Sequence, residues 1–217
     1  MLREKVAALD GSVKIGRTPM SEQKRKYEKK RRAEAEAQTR LRITESAVEL
    51  HGSLGPARTS MSAVAEHAGV RRSTLYRHFP DEATLFGACS AHWAAQNPPP
   101  DIEAWAKVED PDERLAVALA ELFAYYARTE GMMDKLLRDA PTVPVVDGLM
   151  GGYRAFLDTA VQILMRGCKA RGKARDRQRA AIGHALTFRT WQDLSRTQHL
   201  DDDAAVGLMR RFVTAAA

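Results

Sequence analysis

The sequence predicts an all-α protein: a three-helix helix-turn-helix domain near the N-terminus, followed by a larger helical domain. Three observations predict this. Apolar residues recur at spacings of three and four along most of the chain, and no stretch alternates as a half-buried strand would. Glycine and proline are sparse, 14 and 9 of 217 residues, which permits long helices. Pro98-Pro99-Pro100 forms a stiff joint that divides the helical patterns into a short front group and a longer rear group.

The front group begins with a helix from about Ala33 to His51, in which Ile43, Ala47, Val48 and Leu50 fall near one face. Gly52, Gly55 and Pro56 stop it. Thr59-Ser60 offers a hydroxyl cap for a second helix carrying Met61, Val64, Ala65 and Ala68. Gly69 ends that helix, because glycine takes a positive φ without a Cβ clash. A short third helix runs from Arg71 to His78, with Val70, Leu75 and Phe79 directed inward. Asp81 then caps a helix reaching about Gln96.

In the rear group, Asp110-Pro111 starts a helix lined by Leu115, Leu119, Leu122, Phe123 and Tyr126. A shorter helix is expected from Met132 to Arg138, ended by Pro141 and Pro144. A long one holds Leu149, Tyr153, Phe156, Leu157, Ala160 and Leu164. Another is expected from about Arg175 to Thr197, and a last one from Asp201 to Ala217. The cationic stretch from Arg166 to Arg179 reads as a solvated linker and helix end.

Composition narrows the function classes. Hydrophobic residues are 44% and charged residues 29%, enough for a core and a solvated surface. No apolar run approaches the ~20 residues that cross a bilayer, so no membrane partner is expected. The opening MLREKVAALDGSVKIG has no apolar stretch followed by a small-residue cleavage site, so no export signal is expected. Cys89 and Cys168 stand far apart, which excludes a disulfide framework and fits a reducing, cytoplasmic setting. Cys89 and His92 share a helix face, but two ligands do not make a zinc site, so neither metal nor cofactor is expected. No phosphate loop, G-x-S-x-G elbow or H-E-x-x-H occurs, so no catalytic residue is assigned and the chain does not read as an enzyme.

The formal net charge is +6. Residues 1–40 hold 12 Lys/Arg against 6 Asp/Glu, and the remaining residues balance. Lys24 to Arg32 alone packs seven cations into nine positions. Such a run is expected to stay mobile, as a solubilising tail or as an arm that lies along DNA phosphates.

The segment from Thr59 to Phe79 carries the functional signal. Two short helices meet at Gly69-Val70, and small Ala65 and Ala68 let them approach closely. The second helix is expected to show Arg71, Arg72, Ser73, Thr74, Tyr76, Arg77 and His78 outward, with no carboxylate among them. Arginine grips guanine edges bidentately, hydroxyls bond bases or phosphates, and a tyrosine reaches a phosphate.

Together, Thr59-Ser60-Met61, Val64-Ala65, Ala68-Gly69-Val70 and Thr74-Leu75-Tyr76-Arg77-His78-Phe79-Pro80 resemble the DNA-binding domain of TetR (tetracycline-repressor-like) regulators. The resemblance covers roughly residues 40–93. Beside the basic arm that the charge places over 1–39, it implies the DNA-binding domain over 40–96 and an effector-binding and dimerisation domain over 97–217. It also implies a homodimer on a palindromic double-stranded operator, most simply a repressor, released by a small molecule. Arg71, Arg72, Ser73 and Thr74 would meet base edges or nearby phosphates. Tyr76 and His78 would hold the backbone, and Thr59 or Ser60 would cap the preceding helix and donate to a phosphate. Three positions depart from the family pattern. His51 and Pro56 replace aromatic residues, Arg71 replaces a small cap, and Asp81-Glu82 replaces a Ser-Lys pair whose lysine binds phosphate.

The last two helices are the expected dimer face. One carries Ile182, Ala185, Leu186, Phe188, Trp191 and Leu194, and the other Val206, Met209, Phe212 and Val213. Effector contacts are expected among Trp105, Phe123, Tyr126, Met132, Met133, Tyr153, Phe156, Phe188 and Trp191, with His184 adding a polar contact. The helix near 82–96 would couple the halves, through Leu85 on one side and Trp93 on the other. Two other readings stay open: a DNA-architectural protein without effector control, and a small all-helical enzyme.

Overall fold

The computed structural model describes residues 19–217, all helix and loop with no strand among them. Of the expected arm over residues 1–39, residues 1–18 lie outside the described residues, as does the reading of the export signal, and the rest is helical. The chain forms two compact units, up to Leu41 and from Arg42 onward.

Helix α1 (Pro19–Ser53) is longer than the sequence pattern predicts. Its start has a proline at the first position and a glutamate, Glu22, in the first turn. Between Met20 and His51 no glycine or proline interrupts it, and Glu, Lys, Arg, Ala and Gln are strong helix formers. Within the first unit every side chain from Glu22 to Gln38 is exposed. Local pairs support that stretch: Lys30 with Glu34 at 3.8 Å, and the Arg31 guanidinium over the Tyr27 ring at 5.9 Å.

In the second unit, α1 continues with Ile43 and Ala47 fully buried. A single 3-10 turn at Pro56–Arg58 leads to α2 (Met61–His67), then α3 (Arg72–His78) and α4 (Glu82–Gln96). The caps follow the sequence. Ser60 Oγ accepts from the Ala63 amide at 3.1 Å, and Asp81 from the Thr84 amide at 2.7 Å. Gly69 takes φ +62°, and the Val70 amide donates to the Ala65 carbonyl at 2.9 Å, closing the turn between α2 and α3. Val64, Ala65, Leu75, Phe79 and Leu85 complete the core of this head.

The body holds α5 (Ile102–Trp105), α6 (Pro111–Asp139), α7 (Pro144–Leu164), α8 (Gly172–Ala185), α9 (Phe188–Gln192) and α10 (Asp202–Ala215). Two elements differ from the sequence expectation. The helix expected to end before Met132 continues through Gly131 to Asp139, so one 29-residue rod replaces two helices. The helix expected over 175–197 starts at Gly172 and breaks after Leu186. Thr187 restarts it, its hydroxyl accepting from the Thr190 amide at 3.2 Å. A single wide π turn over Asp193–Thr197 follows.

The break turns Phe188 and Trp191 into the core, where both meet Tyr126 at ring distances of 5.4 and 6.0 Å. A chain of polar contacts fixes it. The Phe188 amide donates to the Tyr153 hydroxyl, which pairs with the Tyr126 hydroxyl at 2.8 Å, and that donates to the Leu186 carbonyl at 2.7 Å.

Candidate nucleic-acid interface and ligand cavity

The first candidate surface is one face of α3. Arg71, Arg72, Ser73, Tyr76 and Arg77 are exposed, and Thr74 is half-buried. No carboxylate stands between Val70 and Pro80. Arg71 caps α3 by backbone alone, with no side-chain bond to the first turn, so its guanidinium is free of a capping role. Leu75 (0% exposed) anchors the opposite face and holds the helix on α2.

One expectation changes here. His78 is 8% exposed, so its ring packs against the head and does not face outward. The reason is periodicity. Residues 75 and 78 are three apart and share the inner stripe, which His78 closes next to Phe79. Of the hydroxyl pair, Ser60 makes the cap, whereas Thr59 turns back and donates to the Gly55 carbonyl at 2.9 Å.

The head is seated on the body through a polar joint. Asp139, at the end of α6, accepts from the Ala57 amide at 3.0 Å and from Arg138 Nε at 2.7 Å. Arg138 also donates to the Leu54 carbonyl at 2.9 Å. The arginine hydrogen bond holds the Asp139 carboxyl below the usual range. Gly55 lies at the centre with φ +96°, and a Cβ there would collide with the Arg138 guanidinium and the Asp139 carboxylate.

The second candidate is a half-open cavity of about 290 Å³ between α1, α4, α6 and α7. Met132, Met133, Tyr153 and Phe156, four of the residues expected to contact an effector, line it. The other expected effector residues do not. Trp105, Phe123, Tyr126, Phe188 and Trp191 are all 0% exposed and form solid core. His184 is exposed on α8, its ring edge-on to Phe212 at 5.9 Å. Aromatic content alone does not separate core from cavity wall, because both are apolar and only tertiary packing tells them apart.

Sequence reasoning missed the wall contributed by the head: Val48 and His51 from α1, and Phe86, Cys89 and Trp93 from α4. The His51 ring lies against Phe86 at 5.4 Å, and its Nδ1 is 3.5 Å from the Cys89 sulfur. Burial lowers the His51 pKa to about 4 and pushes the Cys89 thiol up to about 11, so both are neutral near pH 7. The departure at position 51 was the one available signal. A polar ring on an otherwise apolar helix face needs a partner, and Cys89 supplies it.

The expected dimer face also changes. Ile182, Ala185, Leu186, Phe188 and Trp191 are at most 2% exposed within the single chain, because α8 packs on α7 and α10 and the break after Leu186 folds Phe188 and Trp191 inward. Leu208 and Phe212, one turn apart on α10, remain open at 37% and 45% exposed. Among the described residues no cluster of three metal-ligating side chains occurs, and no helix is long and apolar enough to cross a membrane.

Comparison with known proteins agrees with this geometry. Residues 43–89 match the bacterial regulatory proteins of the tetR family. No curated protein matches the sequence. Among solved structures, a TetR-like transcriptional regulator from Rhodococcus sp. RHA1 is 20% identical, with 81% of this chain and 93% of that one covered and a TM-score of 0.58. A putative TetR-family regulator from Mesorhizobium loti MAFF303099 is 21% identical, covering 83% and 96%, with a TM-score of 0.56. The multidrug binding protein EbrR, complexed with imidazole, is 20% identical, covering 80% and 93%, with a TM-score of 0.50.

Proposed function

We propose that this chain, whose residues 43–89 carry a tetR-family DNA-binding domain, is a transcriptional regulator that binds a palindromic operator as a homodimer and is released by a small molecule. One observation carries the reading: α3 presents an exposed face of arginine, serine and tyrosine without a carboxylate, on a helix anchored from behind by Leu75. Arg71, Arg72, Ser73 and Thr74 are the residues for base edges and adjacent phosphates, and Tyr76 and Arg77 for the backbone. One such helix reads only a few base pairs. Two, set ~34–36 Å apart by a two-fold axis, read both halves of a palindrome. Leu208 and Phe212 on α10 are the apolar surface left for that axis.

The arm adds affinity without sequence information. Lys24 to Arg32 makes up for the phosphate-binding lysine that Glu82 displaces. Effector release has its physical basis in the cavity. Its wall includes α4, which also packs on the head core through Leu85, so a molecule that prefers one setting of α4 shifts the head by the same free energy. EbrR, a small-molecule binder, shares this fold.

Selection of bound oligonucleotides from a random pool by the full chain tests the reading. The expected product is an inverted repeat, bound about a thousandfold or more above random duplex. Equal affinity for all duplexes would instead identify an architectural protein, and the absence of duplex binding would end both readings.

A further inference from the structure

We infer that the cavity takes an uncharged, largely apolar molecule of about bicyclic size, and that this molecule touches the DNA-binding head directly. The inference rests on the regulator reading and specifies its effector.

The chemistry of the wall sets the class. None of the lining residues is Asp, Glu, Lys or Arg. The polar groups present are the His51 imidazole, the Cys89 thiol, Ser90, Asn97, the Trp93 indole N–H and the Tyr125 and Tyr153 hydroxyls. All of these are neutral near pH 7: burial holds His51 unprotonated, keeps Cys89 a thiol and raises both tyrosines. Two charges stand close by but outside the lining. Arg128 lies over the Tyr125 ring at 4.8 Å and donates to the Pro98 carbonyl at 2.9 Å, while Asp139 is held by Arg138 and the Ala57 amide. An ionic ligand would lose its hydration and find no counter-charge in the wall. A neutral apolar molecule with one or two hydrogen-bonding atoms meets what the wall offers.

Size and position complete the argument. At about 290 Å³ the cavity sits at the low end of the ~300–1,000 Å³ range of small-molecule sites. Val48 and His51 belong to the first helix of the head, and Phe86 and Cys89 to the helix that follows the reading helix. An occupant therefore presses on the head itself, with no relay through the far end of the body.

Three naphthalene probes of nearly one shape separate the outcomes: 2-naphthylmethanol, 2-naphthoate and 2-naphthylmethylammonium. Calorimetric titration into the full chain is expected to show the alcohol binding about 30-fold or more tighter than either ion. The alcohol is also expected to weaken binding to the selected operator about tenfold. Gly152 lines the cavity from α7, and an added Cβ there meets no heavy atom within 4 Å, so Gly152→Phe brings a ring to its rim. It is expected to abolish alcohol binding while operator binding persists. Leu149, 40% exposed, lines the same cavity, so Leu149→Arg brings a cation to it and is expected to shift preference toward naphthoate. That variant decides the matter if Gly152→Phe does not fold by circular dichroism.

The inference is overturned if an ion binds wild type as tightly as the alcohol, if none of the three binds up to millimolar concentration, or if neither variant changes the pattern. Any of these with operator binding intact removes the effector assignment and leaves the regulator standing. Failure to select a duplex at all removes the regulator.

Discussion

The head and the body display their working side chains in opposite ways. On α3, Arg72 and Tyr76 stand in solvent while Leu75 is fully buried between them. In the body, the side chains that could meet a small molecule are hidden among others of the same chemistry. Met133 and Phe156 line the cavity, while Phe123 and Phe188 are plain core. A surface site is therefore set by local helical spacing, whereas an internal site is set by how four helices fail to close.

The largest test of that contrast is Phe188→Ala. Phe188 is fully buried and does not line this cavity, so its truncation is expected to cost about 3–5 kcal/mol in thermal or urea unfolding. The ligand preference of the surviving folded protein should not change. A selective loss of ligand binding at unaltered stability would move Phe188 back into the site.

Arg72→Ala is the counterpart on the head. It is expected to lower discrimination between operator and mismatched duplex by about 1–3 kcal/mol, roughly 5- to 150-fold, with the melting temperature unchanged. Tyr76→Phe should weaken all duplexes more evenly. Equal losses on operator and random duplex from Arg72→Ala would remove base reading from that residue.

His51 belongs to the head and to the cavity at once, and acidification probes it. The folded protein resists a proton that the unfolded imidazole accepts. Its contribution is therefore complete above pH ~6.5 and is lost as the pH falls toward about 4. Between pH 7 and pH 5 the wild type should lose about 2 kcal/mol that His51→Phe retains. Parallel pH curves for the two proteins would contradict the burial argument. The smallest effect is expected at Gly148 on α7, where an added Cβ meets no heavy atom within 4 Å. Gly148→Ala should stabilise the protein by about 0.5–1 kcal/mol, read as a rise in melting temperature.

The head was readable because its signals are local. Ser60, Gly69 and Asp81 act on residues within three or four positions, and each does what its chemistry dictates. His78 was misjudged because an outward polar residue and an inward one look alike until the stripe through Leu75 is traced. In the body, Thr187 was a capping residue inside an apparently unbroken helical pattern, and missing it placed Phe188 and Trp191 on the wrong surface. Continuity through Gly131 was hidden for the converse reason: a lone glycine weakens a helix by only about 1 kcal/mol, which tertiary packing exceeds. The head's share of the cavity wall had no local sign, since Val48 and Phe86 are 38 positions apart and meet only through the fold.

The joint at Gly55 bears on any attempt to exchange parts among proteins of this fold. The Leu54 carbonyl and the Ala57 amide find their partners at the far end of α6, on residues 138 and 139. A chimera that grafts this reader onto a foreign core would strand both groups unless Arg138 and Asp139 travelled with it. The transferable module is thus discontinuous in the chain: the reader together with a two-residue patch more than eighty positions downstream.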